Sequence, residues 1–168
     1  MSGTSILLPF FEGALEVDLE RRTVALEGEN ADASIAILAL HYLAGCDDHL
    51  PVGSLAPFNQ ACGGEAYFPA FRARTIDRLA QGFGDDPARM VKAAARMNGA
   101  EERMGSGAAK ILIFPKLAVT AIIWLGDDEI PASANLLFDE YALRTMPTED
   151  LAVAGALVVG RLTEKARE

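Results

Sequence analysis

Residues 108–125 read AAKILIFPKLAVTAIIWL, and this stretch decides the fold class. The run is almost continuously apolar and rich in β-branched residues, which favour strands. Pro115 interrupts it, and a proline would remove a backbone hydrogen bond from one continuous helix or from one central strand. The run therefore predicts two buried strands, at residues 111–114 and 119–124, joined by a tight turn at Pro115 and Lys116.

The N-terminal segment has the pattern of half-buried strands. Between residues 6 and 26, apolar and polar side chains alternate at a period of two. Gly13 and the charged residues 20–22 separate the apolar positions and are typical of turns. We predict two or three short antiparallel strands here.

Two helices are expected in the middle of the chain. The first begins at an Asn30 or Asp32 cap and stops at Gly45, a residue that tolerates the left-handed end conformation. The second begins at Pro69 or the residue before it, and its apolar stripe covers residues 71–83.

Two further helices carry clear start signals. One begins at Asp86 and Pro87, a cap followed by proline at the first helical position, and stops at Gly99. The other opens with a cap and an acidic first turn at residues 148–150. The pattern predicts a single α+β domain over residues 1–168, in which an antiparallel sheet with N-terminal strands and a central hairpin packs against about four helices.

Composition and charge narrow the classes of partner. The 168 residues are enough to bury a core, and 15 basic against 24 acidic residues give a net charge of −9. This charge repels phosphate backbones and anionic lipid, so neither nucleic acid nor membrane is an expected partner. No apolar run reaches the ~20 residues of a spanning helix. Cys46 and Cys62 are too few for a disulfide framework, and free thiols suit a cytoplasmic protein.

Three adjacent carboxylates, Asp127, Asp128 and Glu129, directly follow the second predicted strand. Such groups repel one another unless they are solvated, paired or bound to a cation. Three interpretations stay open: a solvated acidic turn, a hard-metal site completed by Asp139 and Glu140, or a carboxylate that acts as a general acid or base. The spacing does not fit a calcium loop.

One region holds every histidine and cysteine of the chain: His41, Cys46, His49 and Cys62. These residue types suit zinc or another soft metal. However, the sequence contains no Cys-x-x-Cys pair, so we expect no metal at this set. The plainer interpretation is a histidine at a helix end together with buried thiols.

A glycine pair, Gly63 and Gly64, lies in residues 58–67, which read FNQACGGEAY. Paired glycines let backbone amides approach a ligand, and Tyr67 can stack on it or form a hydrogen bond. The chain lacks the dinucleotide fingerprint, the Walker motif and the serine nucleophile elbow. We predict that the glycine loop and the turn at residues 124–129 meet in space and line one concave site.

Several motifs across roughly residues 5–163 resemble those of one family. They are His41-Tyr42-Leu43, Phe58 with Gly63-Gly64 and Tyr67, Phe71, Phe114-Pro115, Trp124-x-Gly126-Asp127-x-Glu129, Pro131, Leu137-Phe138-Asp139 and Thr148-Glu149-Asp150. Together they resemble a domain of unknown function found in many anaerobic bacteria and archaea. Some members of that family resemble fusions to ferredoxin-type iron–sulfur modules. The resemblance therefore implies anaerobic cofactor or redox metabolism and a redox-protein partner, although this chain lacks the cysteines of such a module.

Three functional hypotheses follow. The first is a small-molecule or cofactor-binding module, with the cofactor unidentified. Its predicted ligand-binding residues are His41, Gly63, Gly64, Tyr67, Trp124, Asp127, Asp128 and Glu129. The second is an enzyme that uses the acidic turn with His41 as acid and base, and the third is a non-catalytic interaction subunit. A histidine beside a carboxylate in a closed pocket would favour the enzyme, whereas a flat apolar patch would favour the subunit.

Overall fold

The structure is a computed structural model that describes residues 5–48 and 50–168. The described strands are β1 (Ser5–Phe10), β2 (Gly13–Asp18), β3 (Thr23–Leu26), β4 (Glu29–Asn30), β5 (Leu55–Pro57), β6 (Ala100–Glu102), β7 (Gly107–Phe114), β8 (Leu117–Trp124) and β9 (Ser133–Asp139). The described helices are α1 (Ala33–Gly45), α2 (Gly64–Arg74), α3 (Ile76–Phe83), α4 (Pro87–Ala95), α5 (Glu140–Thr145) and α6 (Thr148–Lys165), with a short 3-10 helix at Phe58–Gln60. The predicted α+β class is confirmed.

The strands form two antiparallel sheets. The first has the order β1-β2-β3-β4, and the second has the order β5-β9-β8-β7-β6. β7 and β8 pair as a hairpin around Pro115 and Lys116, which confirms the prediction from the proline. β8 lies at the centre of the second sheet, and its residues 117–123 are all buried. The continuous apolar run therefore marks a strand that is covered on both faces.

The core lies between the second sheet and the helices. α3, α4 and α6 contact this sheet, and β1 of the first sheet contacts β7. The backbone N–H of Phe11 donates to the carbonyl of Ile113 at 3.0 Å and joins the two sheets. Phe58 and Phe71 stack with ring centroids 3.9 Å apart, which holds α2 over the 3-10 helix. These contacts bring the starts of α2 and α6 to one end of the molecule.

The helix predicted over residues 71–83 is in fact two helices. The backbone leaves helical geometry at Thr75 (φ −128°, ψ −73°), whose hydroxyl donates to the carbonyl of Phe71 at 2.7 Å. The predicted start at Pro69 is also wrong, because α2 begins at Gly64 and Pro69 lies inside it. Proline costs that helix one backbone bond, and the burial of Phe71 offsets the loss. The break at Thr75 and the extra short α5 make six helices in the described ranges rather than about four.

The start signals of the other helices are confirmed in part. Asp32 caps α1 by accepting from the N–H of Ser34 at 2.9 Å, and Asp86 caps α4. At α6 the expected start is right but the expected cap is wrong, because Pro147 is the cap residue and no side chain bonds the helix end. The polar side chains of the first turn of α6 bond elsewhere. In the parts of the chain that the structure describes, no helix is long and apolar enough to cross a membrane.

Candidate functional site

His41 and Asp150 connect α1 to α6 through their side chains. The Nδ1 atom of His41 lies 2.6 Å from Oδ2 of Asp150. The Asp150 side chain is 7% exposed, whereas the His41 side chain is 51% exposed. An ionised carboxylate only accepts hydrogen bonds, so the Nδ1–H of His41 donates to it, and in the neutral imidazole the other ring nitrogen, Nε2, then carries the lone pair. A buried acid thus orients an imidazole whose outer half is open to solvent.

The two helices explain this placement. Asp150 lies in the first turn of α6, where the positive end of the helix dipole favours a negative charge. On α1, Tyr42 is buried and packs against Phe114 with ring centroids 4.6 Å apart. Successive helical residues point about 100° apart, so the burial of Tyr42 turns His41 toward the surface beside α6.

This arrangement suits proton transfer at Nε2 of His41. A carboxylate that holds one imidazole nitrogen selects the tautomer and stabilises the imidazolium that forms when the other nitrogen takes a proton. A carboxylate partner is also typical of a metal-bound histidine, but a metal needs further ligands. Within residues 5–48 and 50–168, no group of three His, Cys, Asp or Glu side chains is arranged to hold an ion. The contact between His41 and Asp150 is an arrangement that can support acid–base chemistry.

The loop before α2 meets the same end of α6. The hydroxyl of Thr148 donates to the carbonyl of Cys62 at 2.5 Å. Gly63 caps α2 with φ +74°, a region that favours glycine. A Cβ added at Gly64 would clash with the carbonyl oxygen of Phe58. The fold itself therefore requires both glycines, and their role in ligand binding stays a prediction.

Tyr67 lines a cleft between α2 and α6 with a volume of about 190 Å³. Arg74 donates to the Tyr67 hydroxyl at 3.5 Å, and the Tyr67 ring lies 6.2 Å from that of Phe58. Glu149, which precedes Asp150, also lines the cleft. A phenol, a guanidinium and a carboxylate are therefore brought together at the start of α6.

The acidic turn between β8 and β9 is organised by Asp127. Its Oδ1 accepts from the N–H of Glu129 at 2.9 Å and from the N–H of Ile130 at 2.8 Å. These two bonds lower the pKa of Asp127 from its ordinary value, and the bond from Glu129 makes the larger contribution. Asp128 and Glu129 are exposed, and Trp124 is 41% exposed. Asp127 therefore shapes the turn, which leaves its two neighbours free to meet a partner from solution.

The residue that follows the acidic turn and the glycine loop lie near opposite ends of α2. Ile130, next to the acidic turn, lines a groove with Arg72 near the C-terminal end of this helix. Gly64 begins the helix, roughly 12 Å away along its axis. No hydrogen bond or ring contact of the described residues joins the turn at 124–129 to Gly63 or Gly64. A site shared by the two segments therefore stays a prediction. The carboxylate that contacts His41 belongs to Asp150 of α6 and not to the acidic turn.

Asp139, which the sequence offers as a metal ligand, anchors a loop. Its Oδ1 accepts from the N–H groups of Val52 at 3.1 Å and Tyr141 at 2.9 Å, and its Oδ2 accepts from the N–H of Gly53 at 2.7 Å. Glu140 accepts from a serine hydroxyl of the same loop at 2.8 Å. Both acids therefore have structural partners.

Cys46 and Cys62 are free thiols, as expected, but both are exposed rather than buried. Cys46 follows the end of α1, and Cys62 precedes α2. His49, the other member of the His/Cys set, lies outside the described residues. No evidence of a shared metal site comes from the three members that are described.

A family model described as a domain of unknown function (DUF3786) matches residues 1–161. The chain belongs to this family. The match confirms the domain of unknown function indicated by the sequence motifs, while the anaerobic range of the family and its iron–sulfur fusions stay predictions. No curated protein and no solved structure matches the chain.

In this DUF3786 chain, sequence reasoning finds His41 but misses its partner. It assigns Asp150 to the acidic first turn of the last helix, because an acid there is explained by the helix dipole alone. The sequence signal that could have identified Asp150 is weak. Pro147 is the cap residue, so the polar side chains of the first turn are not needed to cap the helix. The contact itself joins positions 109 residues apart and is invisible to local patterns.

Proposed function

We propose that the chain binds a small molecule beside His41 and exchanges a proton with it. In this proposal His41 is the acid–base group and Asp150 is its positioning residue. The observation that supports it is the 2.6 Å contact between a buried carboxylate and a half-exposed imidazole. The proposal joins the small-molecule and enzyme hypotheses from the sequence, with Asp150 in place of the acidic turn.

A purely structural link between α1 and α6 is a poorer explanation of these residues. Burying a carboxylate costs free energy, and a well-packed apolar pair often stabilises a helix contact equally well. A buried acid at a helix start can also accept from backbone N–H groups, yet in the described part of the chain the one hydrogen-bond partner of the Asp150 carboxylate is His41. The pair is most useful where the free Nε2 of the imidazole meets another molecule.

We further propose that the ligand reaches from His41 into the cleft between α2 and α6, which Glu149 lines but His41 and Asp150 do not. Its volume of about 190 Å³ is below the ~300 Å³ lower end of pockets for drug-sized molecules. Tyr67 and Arg74 offer hydrogen-bond donors there, and Glu149 offers an acceptor. We therefore propose a small, polar, oxygen-rich ligand. A reducing, cytoplasmic setting is part of the proposal because Cys46 and Cys62 are exposed free thiols.

The first test measures the tautomer of His41. Nitrogen-15 NMR of the neutral imidazole should show a protonated Nδ1 and a free Nε2. In Asp150→Asn, the side-chain amide can donate to Nδ1, so the tautomer should shift toward Nε2–H and the reaction of His41 with diethyl pyrocarbonate should slow. Glu149→Gln is the matched control, since it removes the neighbouring carboxylate and should change neither signal. His41→Gln assigns the resonances.

The second test measures binding. Ligand-observed NMR against a panel of small hydroxy and keto acids should detect at least one binder, and His41→Gln should weaken it while lowering the free energy of unfolding by no more than about 1 kcal/mol. Equal tautomers and equal reactivity in the wild type and Asp150→Asn would show that the pair is only a link between helices. Failure of every acid in the panel would overturn the proposed ligand class.

A further inference from the structure

α1 is apolar on its outer face as well as on its buried face. Its 13 residues read ASIAILALHYLAG and include no acidic, lysine or arginine side chain. On the outer face, Ile37 is 50% exposed and Leu40 is 45% exposed. The neighbouring helix α6, by contrast, places Glu149 and Glu164 on its exposed side. A helix that is apolar all round is ordinarily covered on every side, so the outer face of α1 indicates a missing neighbour.

Four exposed residues of α1 form a seam with the spacing of a coiled coil. Ala33, Ile37, Leu40 and Ala44 follow one another at intervals of four, three and four positions, and all four are exposed. Each helical residue turns the chain by about 100°, so the four lie within about 60° of one another. The seam has a small residue at each end and a large aliphatic residue at each inner position. It therefore reads alike in both directions and is complementary to an antiparallel copy of itself.

We propose that this seam binds the same seam of a second copy of the chain, with the two α1 helices antiparallel about a two-fold axis. Ile37 then meets Leu40 of the partner subunit, and Ala33 meets Ala44 of the partner subunit. Each contact occurs twice, as an interface between identical surfaces requires. The alanines at the ends let the helices approach closely, while the aliphatic pairs fill the centre.

The distribution of charge favours a second copy over a different protein. Complementary charge is a common means of selecting a different partner, and the seam has no charge to offer. The net charge of −9 opposes self-association only weakly at physiological salt, because exposed charges more than ~8 Å apart are largely screened. The dimer should therefore strengthen as the salt concentration rises, whereas a complex with a basic partner would weaken.

The size of the surface predicts a weak dimer. The seam is about 17 Å long, and specific interfaces bury at least ~1,200 Å² in total. One helix seam is smaller than that. A shallow groove of about 430 Å³, lined by Ser34, Val153 and Leu157 among others, continues the surface from α1 onto α6. We expect this groove to be part of the interface and the dissociation constant to lie between about 1 μM and 1 mM.

His41 borders the seam. Ser34 and His41 are seven residues apart and lie on the flank of α1 that faces α6. In an antiparallel pair with a two-fold axis, equivalent flanks lie on the same side, so Ser34 of the partner subunit comes beside His41. The proposed proton-transfer site is then bordered by both copies. This consequence rests on the proposed function, whereas the dimer does not, and the experiments below measure association alone.

The first experiment measures the mass of the protein by sedimentation equilibrium from about 1 μM to 1 mM. The mass of the wild type should rise from 17.9 kDa toward twice that value. Ile37→Lys places a charge in the seam and should weaken the dimer by about tenfold or more. Ile130→Lys is the matched control, because this isoleucine is 65% exposed and lies outside the seam. It should leave the dissociation constant within about twofold.

A mixture of two variants tests the antiparallel register. Leu40→Glu alone should also weaken the dimer. When it is mixed with Ile37→Lys, the new lysine faces the new glutamate in one contact, and the other contact is that of the wild type. The mixed pair should bind about tenfold more tightly than either variant binds to itself. Such a gain requires folded variants, so it separates damage to the seam from damage to the fold.

A second mixture, Ile37→Lys with Ile37→Glu, is the control for register. It has the same total charge as the first mixture, but in the antiparallel pair both new charges face leucine. Its gain in affinity should therefore be clearly smaller. In a parallel pair, position 37 would face position 37, and the second mixture would show the larger gain.

Three results would overturn the proposal. The first is a wild-type mass that stays at 17.9 kDa at a concentration of about 1 mM, because another molecule would then have to cover the seam. The second is an equal effect of Ile37→Lys and Ile130→Lys on association, which would place the interface elsewhere. The third is a larger gain for the second mixture than for the first, which would identify a parallel pair.

Discussion

Asp139 and Asp150 are both 5% exposed and both lie at the start of a helix, yet their carboxylates have different partners. Asp139 accepts three backbone N–H groups, including those of Tyr141 and Gly53. Asp150 contacts the imidazole of His41, which is half-exposed. The first acid holds a loop to a helix start, and the second, in the function we propose, positions an imidazole that exchanges a proton with a ligand. Two equally buried carboxylates can therefore differ in role, and their hydrogen-bond partners show the difference.

The largest expected effect is at Asp139. Asp139→Ala leaves three N–H groups without their acceptor and should lower the free energy of unfolding by about 3 kcal/mol. Urea denaturation followed by circular dichroism measures this. Asp139→Asn keeps one acceptor oxygen and should give an intermediate loss. A loss below about 1 kcal/mol for the alanine variant would show that Asp139 does not hold the loop, and the contrast with Asp150 would fail.

A smaller effect is expected at Asp150. Asp150→Ala removes one contact to a half-exposed partner and should lower the free energy of unfolding by about 1 kcal/mol. The double-mutant cycle with His41→Ala should give a coupling of similar size. If the loss equalled that of Asp139→Ala, Asp150 would be a structural residue and the comparison would fail.

The buried Tyr42, which follows His41 on α1, should make the stability depend on pH at high pH. Burial raises the pKa of Tyr42 to about 12, opposed by the backbone N–H of Lys116, which donates to its hydroxyl. The folded pKa lies above the unfolded value of about 10, so stability is complete below pH 10 and falls as the pH rises from about 10 to 12. The denaturation midpoint should fall less steeply over this range in Tyr42→Phe. An unchanged slope would show that Tyr42 is not the group responsible.

The smallest effect is expected at the exposed Asp127. Its pKa is lowered by the N–H groups of Glu129 and Ile130, so its stabilising effect is present above the unfolded value and is lost as the pH falls through the folded value. The difference in denaturation midpoint between the wild type and Asp127→Asn should therefore shrink when the pH is lowered from about 5 to 3. A difference that stays constant over this range would mean that the carboxylate charge has no role in the turn.

Much of the fold is predictable because its signals are local. Pro115 divides one apolar run into β7 and β8, and Asp32 and Asp86 cap helices at the expected places. The break at Thr75 is missed because the apolar spacing continues across it, so only the observed backbone reveals two helices. The expected start at Pro69 fails for a related reason: packing of the helix on the 3-10 segment outweighs the local preference of proline.

The candidate site is predictable only in part. The sequence by itself determined the α+β class, the hairpin and the family, and it singled out His41 as a candidate site residue, since these depend on spacing and on short motifs. Only the tertiary structure decided that Asp150 is its partner. This contact depends on how distant segments pack, because α6 meets α1 across 109 residues. Local patterns record which residues can form an element, whereas the packing of elements decides which groups meet.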